Sequence, residues 1–468
     1  MPHRITIAKA SKGNVTIDQA VTGLLASRQA PQANVDAEVA QIIAKVRDEG
    51  DKGLLACVQK FDGSEASTVA DLAIDKSRLK NAYAGLQAEL RQALHLAHDR
   101  ITAFHQKQLP KNQDWEDDTG AQLGMRYLPV DAAGLYTPGG TASYPSSLLM
   151  NAVPASVAGV TRQVLACPLK PNHSEATNIN VVLAAAHIAD IDEVWAMGGA
   201  HAIAALAYGT ETIAAVDVIT GPGNAYVAAA KRQVFGQVGI DSIAGPTEVV
   251  IIADNRQNAD WVAADLLAQA EHDRLAQAIL ITNDEAFAKQ VDAAVEALLP
   301  KLSRQAIASH AWQRHGGLIV VGDWEIATEI ANRLAPEHLH IAIEGGVEEG
   351  VGVGKDAETP AKKLMASIRH AGAIFIGSHT PEAIGDYTAG INHILPTGGA
   401  ARFASSLGVA DFMKRTNWLC CDSRALANLT TPAEILANAE GLDGHALSLS
   451  LRHNNPPQNK SSKDTADG

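Results

Sequence analysis

The sequence is poor in cysteine. Only four occur among 468 residues, at Cys57, Cys167, Cys420 and Cys421, which is too few for a disulfide framework and lacks the paired spacing of a thiolate zinc cluster. We interpret the adjacent Cys420 and Cys421 as packing residues. A metal ion bound by this chain would therefore take its ligands from His, Asp, Glu or Gln side chains.

Basic side chains and long apolar runs are also scarce. Lys and Arg total 38 against 52 Asp and Glu, a formal net charge of −14, which excludes nucleic acid as a main partner. The longest stretch without charge, residues 132–161, is interrupted by prolines and glycines, so we expect no membrane span. Residues 1–12 lack the apolar core of a secretory signal, which predicts a cytoplasmic protein.

The pattern of apolar residues changes near residue 120. Before it, apolar residues recur at helical spacing through 35–46 and 79–104. After it, short β-rich runs alternate with Ala-rich helical segments, which predicts an α/β fold with parallel sheets and crossover helices. The candidate strands are 163–167, 193–197, 216–219, 248–252, 278–282, 318–321 and 373–376.

Three glycine-rich motifs lie next to these strands: TPGGT at 137–141, MGGA at 197–200 and GPGNAYV at 221–227. Glycine lets the backbone approach a phosphate, and a helix N-terminus offers free N–H groups. None of the motifs matches the full dinucleotide fingerprint. Each alone is more often a turn, but three in one region make a nucleotide site equally plausible.

Two short pairs of residues suggest chemistry. Gln269 and His272 lie three apart in the amphipathic segment 258–272, so they share a helix face and could share a metal, although a surface or capping pair is more common. Glu337 and His338 follow a helix-breaking proline, where an imidazole could take a proton from an alcohol and a neighbouring carboxylate could activate water. A solvated Glu and a packed His would be the simpler interpretation.

Further candidate residues lie towards the C-terminus. Asp386 and His393 are seven apart in a glycine-containing run, and Glu440 and His445 are five apart. Nitrogen and oxygen ligands suit Zn²⁺ or a similar first-row ion. The candidate set is Gln269, His272, Asp386 and His445, although spacing does not show that these residues converge.

Nine motifs, read in order over about residues 30–450, closely resemble those of the histidinol dehydrogenase family, among them GLYTPGGTASYPSSLLM, LLAQAEHD, NRLAPEHL, GDYTAGINHILPTGG and EGLDGHA. The resemblance implies a zinc ion in each subunit, held by Gln269, His272, Asp386 and His445. It implies that Glu337 and His338 are the acid/base pair. It places Tyr136, His201 and Asn224 at NAD, and it adds Thr247, His393 and Glu440 to His338 and the zinc ligands as substrate contacts.

The resemblance also implies a reaction and an assembly. The family oxidises L-histidinol to L-histidine through the aldehyde with NAD, in the last steps of histidine biosynthesis. Its members are intertwined homodimers, in which the C-terminal arm of one subunit reaches the active site of its partner.

With this resemblance, the chain is expected to have two incomplete, Rossmann-like lobes with parallel sheets. A helical arm at 1–110 precedes a catalytic and metal-binding lobe formed by 111–130 and 245–405. The NAD-associated lobe is 131–244. A dimerisation arm at 406–450 and a disordered tail at 451–468 complete the chain.

The sequence departs from the family pattern at a few positions. His201 replaces the usual Gln, Thr247 the usual Ser and Ile391 the usual Pro, while 344–361 is predicted to be an extended surface loop. His201 leaves open a related zinc and NAD dehydrogenase of another polar amino alcohol or diol. A zinc hydrolase using Glu337, or covalent catalysis through Cys167, are further alternatives.

Overall fold

The computed structural model describes residues 3–7, 15–26, 33–139, 144–168, 176–343 and 359–454. The strands are β1 (His3–Ile7), β2 (Gln113–Glu116), β3 (Gln122–Pro129), β4 (Ala132–Tyr136), β5 (Arg162–Ala166), β6 (Glu193–Trp195), β7 (Val218–Thr220), β8 (Gly239–Ile240), β9 (Glu248–Ala253), β10 (Gln277–Thr282), β11 (Gly317–Val321), β12 (His338–Ala342), β13 (Ala373–Ile376) and β14 (Met413–Cys420).

The helices are α1 (Val15–Ala26), α2 (Ala33–Cys57), α3 (Lys76–Ala84), α4 (Ala88–His105), α5 (Pro145–Ala158), α6 (Ala176–Ile188), α7 (Gly199–Tyr208), α8 (Ala225–Val234), α9 (Ala259–Ala270), α10 (Glu285–Leu298), α11 (Gln305–His315), α12 (Trp324–Leu334), α13 (Pro360–Ser367), α14 (Glu382–Tyr387), α15 (Ser423–Ala439) and α16 (Asp443–Asn454). None of the helices in the described ranges is long and apolar enough to cross a membrane.

The chain divides into two compact units, residues 1–109 with 130–412 and residues 110–129 with 413–468. The first unit contains two sheets. One has the strand order β1-β11-β10-β9-β12-β13 and the other β6-β5-β4-β7-β8, and every neighbouring pair in both is parallel. The predicted α/β fold with two parallel sheets is confirmed.

The larger sheet is covered by helices on both faces. Every residue of the central strands β9 and β10 is buried, as expected for parallel strands between two helical layers. Because side chains alternate along a strand, Val249 and Ile251 pack with residues of α9, α10 and α11. Val250 and Ile252 pack with residues of α1, α12 and α13 on the other face.

The structure differs from the sequence predictions at the N-terminus and in the second unit. Residues 3–7, predicted as part of a helical arm, form an edge strand parallel to β11. Segment 113–129 pairs antiparallel with β14 in the second unit, where it forms the sheet β14-β3-β2. Segment 113–129 therefore contributes no strand to the larger sheet, although it was predicted to belong to the same lobe as residues 245–405.

The predictions for the tail and the long loop fall partly outside the described residues. Residues 451–454, predicted to belong to the disordered tail, are instead the last residues of α16. The rest of the tail, 455–468, lies outside the described ranges, as does 344–358 of the predicted loop. Thr359 caps α13 and ends that loop before residue 361.

Candidate active site

A cavity of about 340 Å³ lies in the first unit where the edges of its two sheets meet. Thr247 immediately precedes β9 and Glu337 immediately precedes the neighbouring β12, so parallel pairing brings these residues to the same edge. Gly221 and Gly223, which follow β7 of the smaller sheet, line the same cavity. Thr247 and Glu337 thus lie at the amino ends of their strands, whereas Gly221 and Gly223 lie at the carboxyl end of β7, where ligand sites of open α/β sheets are common.

His338 is held in one orientation. Ala335 ends α12 in a left-handed conformation, with φ +46°, and after two further residues His338 begins β12. Its Nδ1 lies 3.2 Å from the backbone carbonyl of Glu248. Since a carbonyl only accepts, Nδ1 carries the proton and Nε2 has the lone pair.

The Nε2 atom of His338 is buried and has no hydrogen-bond partner among the described residues. Asp386 Oδ1 lies 3.9 Å from this nitrogen. Burial lowers the pKa of His338, and the negative charge of Asp386 opposes that effect. A neutral imidazole with an unshared electron pair therefore lines the cavity.

Glu337 lies beside this imidazole, with 3.8 Å between its Oε2 and His338 Nδ1. The Thr247 hydroxyl donates to Oε2 at 2.5 Å, and the Glu248 N–H donates to it at 3.0 Å. Burial nevertheless raises the pKa of Glu337 to about 8, because the two donors only partly offset the loss of water. The carboxyl group is thus a stronger base than an exposed glutamate.

The predicted metal ligands of the first unit all line the cavity. Gln269 lies in the last turn of α9 and donates through Nε2 to Thr247 Oγ1 at 2.6 Å, so its amide oxygen is the atom left to coordinate an ion. His272 follows two residues after the helix ends. Asp386, in α14, lies near both His338 and His393, each with a nitrogen 3.9 Å from its Oδ1.

No three His, Cys, Asp or Glu side chains within the described ranges are grouped to hold a metal ion. The predicted set does not require such a group in the first unit, since it places only His272 and Asp386 there with the amide of Gln269. Imidazole nitrogen and carboxylate oxygen are common zinc donors, and the amide oxygen of Gln269 is a less usual neutral one. The residues present therefore fit a zinc ion in their chemistry.

His393 is fixed from both sides of its ring. Its Nδ1 donates to the backbone carbonyl of Asp386 at 2.8 Å, and its Nε2 lies 3.1 Å from the Ser147 hydroxyl. Because Nδ1 donates, Nε2 accepts from Ser147. Ser147 lines the cavity but was not predicted as a site residue. It lies in the mostly apolar helix α5, where nothing in the sequence distinguishes it from its neighbours.

Glu440 and His445 belong to the second unit. Glu440 caps the C-terminus of α15, and His445 lies in the first turn of α16. Their convergence with the residues around His338 stays a prediction.

The three predicted NAD residues lie at the turns of the smaller sheet. Tyr136 ends β4, and its hydroxyl accepts from the Gly199 N–H at 3.1 Å. Asn224 caps α8 by accepting from the N–H groups of Tyr226 and Val227. Gly139 of the TPGGT motif lines the cavity, while residues 140–143 lie outside the described ranges.

His201 is 2 % exposed, and its Nε2 lies 2.9 Å from Asp62 Oδ2. The same carboxylate oxygen accepts from the Gly198 N–H at 3.1 Å. With Gly199 bonded to Tyr136, both glycines of the MGGA motif already have protein acceptors. These two N–H groups therefore do not form the free phosphate cradle that the motif suggested. Asp62, far away in sequence and in no motif, was missed.

Cys167 does not support covalent catalysis. It is buried, burial raises its pKa to about 12, and it is absent from the cavity lining. A thiol of that pKa is hardly ionised near neutral pH, whereas the thiolate is the nucleophile.

A buried neutral imidazole beside a carboxyl of raised pKa, set against the glycine turns of a parallel sheet, defines an α/β enzyme with an acid/base site. The family model described as histidinol dehydrogenase matches residues 25–453. The chain belongs to the histidinol dehydrogenase family, which confirms the resemblance and the prediction of an oxidoreductase.

Individual relatives cover nearly the whole chain. Histidinol dehydrogenase of Mesorhizobium japonicum is 49% identical over 444 residues, covering 95% of this chain and 98% of that protein. The enzyme of that name from Rhodospirillum rubrum is 50% identical over 437 residues, covering 93% and 96%. The crystal structure of histidinol dehydrogenase from Elizabethkingia anophelis has a TM-score of 0.85 at 33% identity, covering 97% of this chain and 98% of that one.

Proposed function

We propose that this protein oxidises L-histidinol to L-histidine through L-histidinaldehyde, with NAD and a zinc ion, in the cytoplasm. The observation that carries the proposal is the single orientation of His338, whose Nδ1 bonds to the Glu248 carbonyl. That bond leaves Nε2 as the basic nitrogen of a residue that lines a cavity of about 340 Å³, in a chain of the histidinol dehydrogenase family.

His338 acts as the base for both oxidations. Its lowered pKa keeps the imidazole neutral near physiological pH, so Nε2 can accept the proton of the substrate alcohol without first losing one of its own. The Nδ1 bond to Glu248 stays in place while the ring is protonated, because both nitrogens of an imidazolium are donors. The ring therefore gains and loses a proton without turning.

Glu337 activates the water that hydrates the aldehyde. Its Oε2 is oriented by the Thr247 hydroxyl and the Glu248 N–H, and its raised pKa makes the carboxylate a competent proton acceptor. Hydration converts the aldehyde into a second alcohol, from which His338 again takes a proton.

When bound, NAD would accept hydride, and zinc would act as a Lewis acid that positions the substrate. Gln269, His272 and Asp386, with His445, would hold the ion. Tyr136 and Asn224 lie at the turns assigned to NAD, and His201 supports those turns through Asp62. Thr247, His393 and Glu440 would complete the substrate site.

We propose an intertwined homodimer in which arm 406–450 carries Glu440 and His445 to the partner's site. Apolar side chains on the arm support this, since single exposed leucines are ordinary but several on neighbouring helices favour an interface. Ile435, Leu436 and Leu447 are 63%, 63% and 58% exposed.

The departure at His201 does not favour another substrate. His201 lies outside the cavity lining and contacts Asp62 and Phe61. Incubation with NAD and L-histidinol, and separately with other polar amino alcohols, followed by mass spectrometry of the products, tests the assignment. L-histidine as the preferred product supports it, and faster oxidation of another alcohol would overturn it.

A further inference from the structure

Lys231 is a fully buried lysine in α8, 2 % exposed, and it lines the cavity. Its ammonium forms an ion pair with Asp241 and donates to the Gly221 carbonyl at 2.9 Å. Asp241 is also nearly buried, 5% exposed. A buried ion pair loses the solvation of two charges, so its presence at the cavity wall calls for a role besides packing.

The ion pair holds both polar groups of one backbone residue. Asp241 Oδ2 accepts from the Gly221 N–H at 2.8 Å, while Lys231 donates to the carbonyl of the same glycine. Lys231 lies in the helix that follows the glycine turn, and its side chain reaches back towards the N-terminus of that helix, the direction in which helical side chains point. These contacts thereby link α8 to the turn at Gly221 that precedes it.

Gly221 needs this support because its conformation is unusual. Its φ of +111° lies in the region that favours glycine, and a Cβ there would lie 2.0 Å from the Tyr136 carbonyl oxygen. The turn therefore passes directly against the end of β4. Three residues further on, Asn224 caps the N-terminus of α8.

We propose that the Lys231–Asp241 ion pair is a positioning device for the dinucleotide: it holds turn 221–224 in the conformation that receives NAD before the cofactor binds. This inference rests on the proposed function. Lys231 and Asp241 are positioning residues, since they act through Gly221. Losing the pair lets the turn sample other conformations, so NAD binding weakens while the acid/base groups stay in place.

The test compares Lys231→Met with the wild type in the Kd for NAD, measured by isothermal titration calorimetry without substrate, and in steady-state kinetics. The expected result is a Kd and a KM for NAD each raised about tenfold or more, because small misplacements of a positioned ligand are costly, with the KM for L-histidinol within about twofold and kcat less affected than the KM for NAD. Asp241→Asn keeps an acceptor for Gly221 and is expected to give a smaller rise. Lys289→Met, which breaks an exposed ion pair with Glu285, is the matched control.

A folded Lys231→Met protein whose KM for NAD equals that of the wild type overturns the inference. So does a loss confined to kcat or to the amount of folded protein, since that is what a structural role alone produces. If Lys231→Met does not fold, the KM for NAD of Asp241→Asn decides by the same criterion. A wild-type enzyme that does not reduce NAD at all contradicts the proposed function itself, which distinguishes the two failures.

Discussion

The imidazole of His338 donates its Nδ1 proton to the backbone carbonyl of Glu248, 3.2 Å away. This bond fixes the tautomer that leaves Nε2 basic, and the two residues lie at the starts of the neighbouring strands β12 and β9. Because the acceptor is a main-chain atom of a buried strand, side-chain motion does not disturb it. The geometry of the base is set by the sheet.

Replacing His338 by Asn removes the base without adding bulk. We expect kcat to fall by about 10²- to 10⁴-fold for both L-histidinol and L-histidinaldehyde, the range typical of a lost acid/base group. Stopped-flow measurement of NADH formation from each substrate checks this. A His338→Asn enzyme that oxidises the alcohol at the wild-type rate would show that another residue takes the proton.

The raised pKa of Glu337 predicts a step in the pH dependence of the rate of aldehyde oxidation. Burial raises its pKa to about 8, and only the ionised carboxylate accepts a proton from water, so the rate is expected to increase as pH rises through that value and then to level off. Glu337→Gln should abolish the step and most of the rate. An unchanged pH profile in that variant would assign the titration to another group.

Thr247 affects the pH at which this step occurs. Its hydroxyl donates to Glu337 and so favours the ionised form, which means that Thr247→Val should raise the pKa of Glu337 further and move the step to higher pH. Thr247→Ser keeps the hydroxyl and is the matched control, with a profile close to that of the wild type. A step at the same pH in the Val variant would contradict the assigned hydrogen bond.

The contact between Asp62 and His201 is expected to stabilise the fold, so replacing His201 should lower the stability of the protein. His201→Ala leaves the Asp62 carboxylate, 17% exposed, without its buried partner, which should lower the free energy of unfolding by about 1–3 kcal/mol. His201→Gln restores a donor and should recover part of that loss. Urea unfolding of the three proteins measures the difference, and equal midpoints would show that the pair contributes nothing.

A shared active site predicts complementation between subunits. Glu337→Gln and His445→Ala are each expected to be inactive, because one lacks the carboxylate and the other a proposed zinc ligand. Co-expressed in equal amounts and purified without separating the dimers, they should regain about a quarter of the wild-type activity, since about half of the dimers are mixed and each mixed dimer has one intact site of two. No recovery in a verified mixed dimer would place His445 in the site of its own chain.

The sequence predicted those parts of the fold that leave a local pattern. The continuous apolar runs of β9 and β10 could only be buried parallel strands or helix cores, and their length decided for strands. β1 was missed because His3–Ile7 is short and alternates polar with apolar residues, as an edge strand does. Its pairing with β11 joins residues more than 300 positions apart, which no local pattern encodes.

In the functional site too, the features with a local sequence pattern were predicted and those set by tertiary contacts were not. Glu337 and His338 stood out at a proline-marked corner, which exists, but their prediction as an acid/base pair came from the family resemblance. The Glu248 carbonyl and Asp62 were missed because one is a backbone atom and the other an unremarkable acidic residue. Both act through contacts set by tertiary folding. The glycine motifs were found, but their N–H partners were visible only in three dimensions.

The most direct test of the central claim is the number of NADH molecules formed per molecule of L-histidinol consumed, measured by ultraviolet absorbance with limiting substrate. We expect two NADH and one L-histidine, with turnover abolished by a strong chelator and restored by Zn²⁺. A single NADH with accumulation of the aldehyde would contradict the role of Glu337. Absence of NADH formation from the zinc-loaded protein would contradict the proposed function as a whole.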